Sequence, residues 1–290
     1  MTTAAPVRYD IDVEDVEYLR HAEKPLLARV FRPRGAGPFP AIVDLHGGAW
    51  CRGDRKDDSA ICEALARAGV LVAALDFRMP PDATYPVSLA DAHYGVRWLK
   101  SQAAALRVRA DRVGVMGISS GGQQAMILAM RPSDPRYAAL PLAGTTGIDA
   151  TVQCAVLCWP VIDPLGRYHY AKKLQAGGKP YPDVVDRVLP DHDRYWLTED
   201  AMAEASPTRA LERGERGPTP PVLYVQGTDD LAHPRPDLDR FVAAYRKAGG
   251  SLDLHLVDGV GEAFIKKDPA APSSLAAIDT IVDWVRRTLR

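Results

Sequence analysis

The feature that most constrains the fold of this chain is a serine flanked by glycines, placed between an apolar run and a helix-like run. The apolar run Arg112–Met116 predicts a strand, and Ser120–Met130 predicts a helix. The turn between them reads Gly-x-Ser-x-Gly, with Ser119 at its centre. We expect a strained backbone at Ser119 and a hydroxyl exposed above the sheet edge. Because Gly117 and Gly121 lack β-carbons that would clash where strand and helix approach, Ser119 is the candidate nucleophile.

Apolar runs alternate with helical patterns along most of the chain. The other predicted strands are Val13–Leu19, Leu26–Phe31, Phe39–Leu45, Val70–Asp76, Gln153–Trp159, Pro221–Gln226 and Ser251–Val257. The other predicted helices are Asp58–Ala68, Leu89–Gln102, Asp237–Ala248 and Ser273–Leu289. The central strands are continuous apolar runs, as in a parallel sheet that helices cover on both faces. The sequence therefore predicts the α/β class.

The alternation breaks down between residues 161 and 220. This segment is rich in Pro, Tyr, Arg and Asp, with short helical stretches at Val184–Val188 and Thr198–Ala205. Insertions at the carboxyl ends of the strands of an open α/β sheet usually border the ligand crevice, which favours a lid here. The alternative is a surface loop region without function. With 290 residues and 47% hydrophobic content, we expect one domain over residues 1–290 with an inserted lid at 161–220.

Composition excludes several classes of function. The net charge is −1, from 36 basic and 37 acidic residues, so nothing favours a nucleic acid or an anionic membrane as partner. No apolar run approaches the roughly 18 residues of a membrane span. The first ten residues contain no apolar secretion core, which predicts a cytoplasmic location. The four cysteines form no Cys-x-x-Cys pair and no metal site is indicated, so we expect no cofactor; the sequence leaves homo-oligomerisation open.

A second motif, His46-Gly47-Gly48-Ala49-Trp50, directly follows the strand Phe39–Leu45. Two adjacent glycines in such a loop can leave backbone N–H groups free to face a developing oxyanion. Together with the N–H of Ser120, the residue after the nucleophile, Gly47 and Gly48 are predicted to form an oxyanion hole. His46 is more simply interpreted as a structural histidine that holds this loop in place.

Taken together, these motifs resemble the α/β-hydrolase superfamily. With Asp76-Phe77-Arg78, Tyr85-Pro86, Asp91 and Trp98-Leu99, the chain is similar to hormone-sensitive-lipase-like and to feruloyl-esterase- or arylformamidase-like carboxylesterases. The resemblance runs from about Phe39 to the C-terminus and is weak only between 161 and 220. It implies an α/β-hydrolase fold with an eight-stranded, mostly parallel sheet, and a Ser–Asp–His triad in that chain order.

Two later loops contain the candidates for the triad acid and base. In similar enzymes the acid lies three residues after the glycine that ends a strand, which points to Asp230 after Gly227; Asp229 and a helix-capping role for the aspartate are the alternatives. The base of the family lies in a Gly-x-x-His-x-Phe loop. Here Gly259-Val260-Gly261-Glu262-Ala263-Phe264 has Glu262 at the histidine position.

A glutamate at the base position leaves three hypotheses. In the first, His233, just after Asp230, is a relocated base that Asp230 or Glu262 orients, although such a loop histidine can also be passive. In the second, Asp230 and Glu262 form an acidic pair that shares a proton near neutral pH and drives a lyase, isomerase, cyclase or decarboxylase reaction. In the third, the protein is a catalytically silent binder. His169 and His192 are further candidates for a relocated base.

Aromatic residues near the lid are candidates for substrate contacts. Trp50 follows the glycine loop, Trp159 ends a strand, and Tyr168 lies in the lid; packing of the lid against the core is the alternative role. Aromatic walls favour a small to medium, partly apolar substrate. The sequence thus predicts a carboxylesterase-like serine hydrolase that acts on such an ester, or on a lactone or amide.

Overall fold

The computed structural model describes residues 8–144 and 147–290. Residues 1–7, which include most of the segment used to predict the absence of a secretion signal, lie outside the described part. One eight-stranded sheet organises the described chain, in the order β1-β2-β4-β3-β5-β6-β7-β8. The strands are β1 (Ile11–His21), β2 (Lys24–Pro33), β3 (Phe39–Leu45), β4 (Leu71–Leu75), β5 (Val108–Ile118), β6 (Ala155–Cys158), β7 (Val222–Gly227) and β8 (Leu252–Val257).

Most of the sheet is parallel. The hairpin strands β1 and β2 pair antiparallel, and β2 pairs antiparallel with β4. All pairs from β4 through β8 are parallel, which places the carboxyl ends of β3, β5, β6 and β7 at one edge. Loops that follow these strands therefore converge there, as expected for a ligand site in an α/β sheet. The predicted α/β-hydrolase fold is confirmed.

Helices cover both faces of the sheet. They are α1 (Ser59–Arg67), α2 (Val87–Ser101), α3 (Ala103–Leu106), α4 (Ser120–Met130), α5 (Pro164–Ala176), α6 (Val184–Trp196), α7 (Glu199–Glu204), α8 (Pro207–Glu212), α9 (Arg235–Lys247), α10 (Phe264–Lys267) and α11 (Pro272–Thr288). Successive residues of β3 enter different cores: Val43 and Leu45 pack in one cluster and Ile42 in another. Burial on both faces explains why this strand is a continuous apolar run.

Four helices, α5 to α8, lie between β6 and β7, within the segment predicted to be a lid. Buried side chains of α5, α6 and α7 form a third cluster with Trp50 of the glycine loop, whereas Ala210 of α8 packs in the cluster of Val43 and Leu45. Three of these helices differ from prediction: α5 and α8 were not predicted, and α6 continues to Trp196 rather than ending at Val188. The insertion is thus anchored to the loop after β3, next to the carboxyl ends of the strands.

Candidate active site

Ser119 lies at the sharp turn between β5 and α4. Its backbone has φ +53° and ψ −114°, the strained conformation expected for a serine on such a turn. The amide of Ser119 donates to the Cys158 carbonyl at 3.0 Å, and the Ser119 carbonyl accepts from the Val161 amide at 2.9 Å. A β-carbon on Gly117 would lie 2.2 Å from the Gly121 carbonyl oxygen, and one on Gly121 would lie 1.9 Å from the Leu45 carbonyl oxygen. The two glycines therefore permit the close approach that holds the turn.

The predicted oxyanion loop lies directly beside this turn. A β-carbon on Gly47 would contact the Ser119 Cβ at 3.4 Å. Gly48 has φ +107°, and its β-carbon would lie 2.0 Å from the Arg52 carbonyl oxygen, so the position requires glycine. The amide of Ser120 opens helix α4 and has no intrahelical acceptor. Gly47 therefore lies against Ser119, Ser120 follows it directly, and Gly47 and Gly48 line the same cavity as Ser119.

His233 and Asp230 continue from Ser119 as a hydrogen-bonded chain. His233 Nε2 lies 3.2 Å from Ser119 Oγ, and His233 Nδ1 lies 2.9 Å from Asp230 Oδ2. Since a carboxylate only accepts, Nδ1 carries the proton and Nε2 presents its lone pair to the serine hydroxyl. His233 is 3% and Asp230 7% exposed, so the chain is shielded from water. The geometry is that of a nucleophile, base and orienting acid.

The loop after β7 fixes Asp230 through its backbone. Asp230 Oδ1 accepts from the amides of Ala232 at 2.9 Å and His233 at 3.0 Å. Gln226 holds the same loop by donating to the His233 carbonyl at 2.9 Å. Burial alone raises the pKa of Asp230, but the charge of His233 and these hydrogen bonds outweigh it, so the pKa lies below its ordinary value. Asp230 is therefore a carboxylate at neutral pH.

The expected acidic pair of Asp230 and Glu262 is not formed. The carboxylate contacts of Asp230 are those to Ala232 and His233, and its pKa is lowered, whereas sharing a proton would require it to be raised. Glu262 lies on the turn before α10 and lines the cavity beside Ser119. Its negative charge acts on Arg167. The charge of Glu262 is thus directed towards Arg167 and not into a proton-sharing pair.

Arg167 brings a buried positive charge to the same place. Its Nη1 lies 3.4 Å from His233 Nε2, and the residue is 3% exposed. Burial lowers the pKa of Arg167 to about 10, with the charges of Glu262 and Asp230 acting in the opposite direction, so the guanidinium remains charged at neutral pH. The sequence offered only a weak signal for this group, an arginine beside the aromatic residues of α5.

A cavity of about 500 Å³ opens beside Ser119. Its walls come from the glycine loop, the elbow, helices α5 and α6, and the turn before α10; they include Gly47, Gly48, Arg52, Asp57, Asp58, Ile118, Trp159, Arg167, Arg187, Val188, Glu262, Lys266 and Lys267. The volume suits a small to medium ligand. A larger cavity of about 650 Å³ lies away from the elbow, around Glu212 and Lys247. The cavity at Ser119 has the candidate nucleophile and the Gly47–Gly48 loop in its walls, and its Arg167 contacts His233.

Of the three aromatic side chains predicted to contact substrate, Trp159 lines this cavity and the other two do not. Trp50 is fully buried, stacks on Tyr195 and donates its Nε1–H to Gln123 at 3.0 Å. Tyr168 packs within the insertion and donates to Asp193 at 2.6 Å. The prediction for Trp50 and Tyr168 is corrected: both side chains find their polar partners inside the protein, and Trp50 joins the glycine loop to the insertion.

The other histidines do not reach Ser119. His169 is exposed and pairs with Glu199 at 2.8 Å. His192 is buried against Trp50, and burial together with the charge of Arg167 holds its pKa well below the ordinary value. His46 stacks on Phe77, which fits its interpretation as a structural residue. Across residues 8–144 and 147–290, no group of three or more His, Cys, Asp or Glu side chains could hold a metal ion.

Two buried carboxyl groups lie beneath the glycine loop. Burial raises the pKa of Asp44, at the end of β3, to about 7, and the Cys62 thiol donates to it at 3.7 Å. Burial and the charge of Asp44 raise the pKa of Asp58 well above its ordinary value. Both groups therefore retain protons in the folded state under conditions in which the unfolded chain has lost them.

Because burial raises the pKa of these two carboxyl groups, we expect the free energy of unfolding to fall as pH rises. The folded pKa of Asp44 lies above the unfolded value of 3.8, so its contribution is complete below about pH 4 and is lost as pH rises to about 7. We expect Asp44→Asn to reduce the fall in unfolding free energy between pH 5 and pH 7 by about 1–2 kcal/mol. Urea unfolding at both pH values measures this, with Asp279→Asn, at an exposed position of α11, as control. An equal fall in wild type and Asp44→Asn would contradict it.

Comparison with known proteins identifies the family. The Abhydrolase_3 family model, described as an alpha/beta hydrolase fold, matches residues 42–266, and the chain belongs to this family. Esterase LipC of Mycobacterium tuberculosis is 26% identical over 260 residues, a match that covers 87% of this chain and 60% of LipC. Ethyl acetate hydrolase of Pseudomonas putida is 35% identical over 156 residues, covering 52% of this chain and 46% of that protein. The chain therefore spans less than two thirds of either relative.

Solved structures share the fold. The carboxylesterase EstE1, cloned from a metagenomic library, superposes with a TM-score of 0.77 at 23% identity, over 98% of this chain and 92% of EstE1. At this identity the likeness shows the fold alone.

In the described ranges, no helix has both the length and the apolar character needed to cross a membrane.

Proposed function

We propose that this protein is a carboxylesterase-like serine hydrolase with His233 as its general base. The observation that carries the proposal is the continuous chain from Ser119 through His233 to Asp230, with contacts of 3.2 Å and 2.9 Å. Relatives named as esterases and carboxylic ester hydrolases support the reaction class.

In this mechanism His233 Nε2 accepts the proton of the Ser119 hydroxyl as Oγ attacks the substrate carbonyl. Asp230 holds the Nδ1–H tautomer and stabilises the imidazolium that forms. The N–H groups of Gly47, Gly48 and Ser120 stabilise the oxyanion, and the N-terminus of α4 adds a favourable dipole. His233 then gives the proton to the leaving alcohol, and water repeats the sequence on the acyl-enzyme.

In this proposal Glu262 does not act as the base, although it occupies the position at which the resemblance predicts the histidine. Its carboxylate partly neutralises Arg167, which would otherwise place an unopposed cation next to His233. A cation beside the base disfavours the imidazolium that forms during attack. Glu262 is thus a positioning and countercharge residue rather than a member of the proton-transfer chain.

The cavity supports a small to medium, partly apolar substrate. Trp159, Ile118 and Val188 supply apolar walls, and the volume of about 500 Å³ limits the size of the ligand. An ester, a lactone and a reactive amide all present the carbonyl that this chemistry requires. The non-hydrolytic alternative lacks support because Asp230 is bonded to His233 and not to Glu262.

Covalent labelling and hydrolysis test the proposal together. We expect a fluorophosphonate probe to label wild-type protein, and p-nitrophenyl acetate and butyrate to be hydrolysed. Ser119→Ala should abolish labelling and lower kcat by roughly 10⁶-fold. Ser101→Ala, on α2 away from the cavity, is the control and should behave as wild type. A folded wild-type protein that is not labelled and hydrolyses neither ester would contradict the proposal and favour a silent binder.

A cytoplasmic location and the lid function of residues 161–220 remain predictions.

A further inference from the structure

The environment of Arg167 indicates the charge of the substrate. Its guanidinium is buried, yet no carboxylate oxygen lies within 4.0 Å of it in the described part of the chain. Its Nε and Nη2 atoms have no hydrogen-bond partner there. A buried charge without a paired partner costs stability, so a structural role alone does not explain it. A buried polar group without a partner requires an explanation, and a bound ligand supplies one.

The other charges of the cavity leave it positive around Arg167. Lys266 pairs with Asp57 at 3.0 Å, and Arg52 pairs with Asp191. Burial raises the pKa of Asp58 well above its ordinary value, so its carboxyl keeps its proton at a pH at which an exposed aspartate has lost it. Of the remaining side chains that line the cavity, three are cationic, namely Arg167, Arg187 and Lys267, and one is a carboxylate, Glu262. Asp230 also acts on Arg167, but its carboxylate is hydrogen-bonded to His233. The local field therefore attracts an anion.

We propose that the cavity binds an ester that carries a free carboxylate, and that the Arg167 guanidinium binds this carboxylate. This inference rests on the proposed esterase function. The two unpartnered atoms, Nε and Nη2, form one edge of the guanidinium, which matches a planar carboxylate through two parallel hydrogen bonds. A rotation of the Arg167 side chain into the cavity exposes that edge to the substrate.

The proximity of Arg167 to the base gives the bound carboxylate a second effect. Arg167 Nη1 lies 3.4 Å from His233 Nε2, so proton transfer from Ser119 places two cations side by side. A substrate carboxylate on Arg167 offsets that repulsion during attack. Neutral esters lack this compensation, so the preference extends from binding to the chemical step.

A matched substrate pair tests the proposal. Mono(4-nitrophenyl) glutarate and 4-nitrophenyl valerate have acyl chains of equal length and differ by a carboxylate in place of a methyl group. We expect wild type to favour the glutarate in kcat/KM, and Arg167→Gln to reduce the glutarate-to-valerate ratio by about 10- to 100-fold. Arg194→Gln, an exposed arginine of α6, should leave the ratio unchanged. Faster hydrolysis of valerate by wild type, with a ratio unaffected by Arg167→Gln, would overturn the inference and leave the esterase function standing.

Binding without turnover separates the two claims. We expect Ser119→Ala to bind monomethyl glutarate more tightly than dimethyl glutarate in calorimetry, and the addition of Arg167→Gln to remove the difference. Equal binding of the two compounds by Ser119→Ala would overturn the carboxylate site whatever the hydrolysis assays show.

Thermal unfolding separates a binding role for Arg167 from a structural one. Arg167→Met should have a melting temperature equal to or above that of wild type, because it removes a buried unpaired charge. A lowered melting temperature with an unchanged substrate preference would assign Arg167 a purely structural role.

Discussion

His233→Ala is expected to lower kcat/KM for p-nitrophenyl butyrate by roughly 10⁴-fold or more. The reason is geometric: His233 Nε2 is the basic atom within 3.2 Å of Ser119 Oγ, and its other nitrogen is held by Asp230 at 2.9 Å. Without the imidazole, the serine hydroxyl has no acceptor of suitable basicity and remains a weak nucleophile. Steady-state kinetics across pH 6 to 9 measure the loss, and circular dichroism checks that the variant folds.

His169→Ala is the matched control for His233→Ala. His169 lies on α5, is exposed, and pairs with Glu199. It should retain wild-type kinetics. Activity of His233→Ala within about tenfold of wild type would assign the base elsewhere, since a positioned general base contributes about 10²–10⁴-fold.

Asp230→Asn should be nearly as severe, with a fall in kcat of about 10⁴-fold. An amide at this position can donate a hydrogen bond to Nδ1, which favours the tautomer with the proton on Nε2 and removes the acceptor for the Ser119 hydroxyl.

Asp230→Asn also loses stability at neutral pH. The folded pKa of Asp230 lies below its ordinary value, so the carboxylate contributes stability above the unfolded pKa, and that contribution is lost as pH falls through the folded pKa.

Asp229→Asn distinguishes the two adjacent carboxylates. The Asp229 side chain is exposed and accepts from Thr228 Oγ1 at 3.3 Å. We expect Asp229→Asn to keep kcat within a few-fold of wild type in the same assay. If Asp229→Asn lost activity and Asp230→Asn did not, the triad acid would be Asp229.

The fold could be predicted from sequence because its main signals are local. Continuous apolar runs gave the buried parallel strands, and the Gly-x-Ser-x-Gly turn joined β5 to α4. Helix α5 was missed because its buried face includes Arg167 and Tyr168, so its periodicity is not apolar. Helix α6 was predicted to be too short because it contains Pro190, a residue that usually ends a helix.

The site was only partly predictable because its contacts depend on side-chain direction. Sequence placed Ser119, Asp230 and His233 on loops at one sheet edge, but the distance from His233 to Ser119 follows from the path of the loop between β7 and α9. Trp50 was assigned to substrate because it follows the glycine loop. Its backbone has φ +60°, and the indole turns into the core against Tyr195. A backbone in this unusual region cannot be inferred from a motif.

In the proposed mechanism His233, and not Glu262, activates Ser119. The rate constant of Ser119 labelling by a fluorophosphonate probe, measured for His233→Ala and Glu262→Gln beside wild type, tests it most directly because labelling reports the nucleophile alone. We predict that His233→Ala is labelled at least about 10²-fold more slowly, and that Glu262→Gln, which keeps the base and loses only the countercharge to Arg167, is slowed by no more than about tenfold. Loss of labelling in Glu262→Gln, with His233→Ala labelled at the wild-type rate, would contradict the claim.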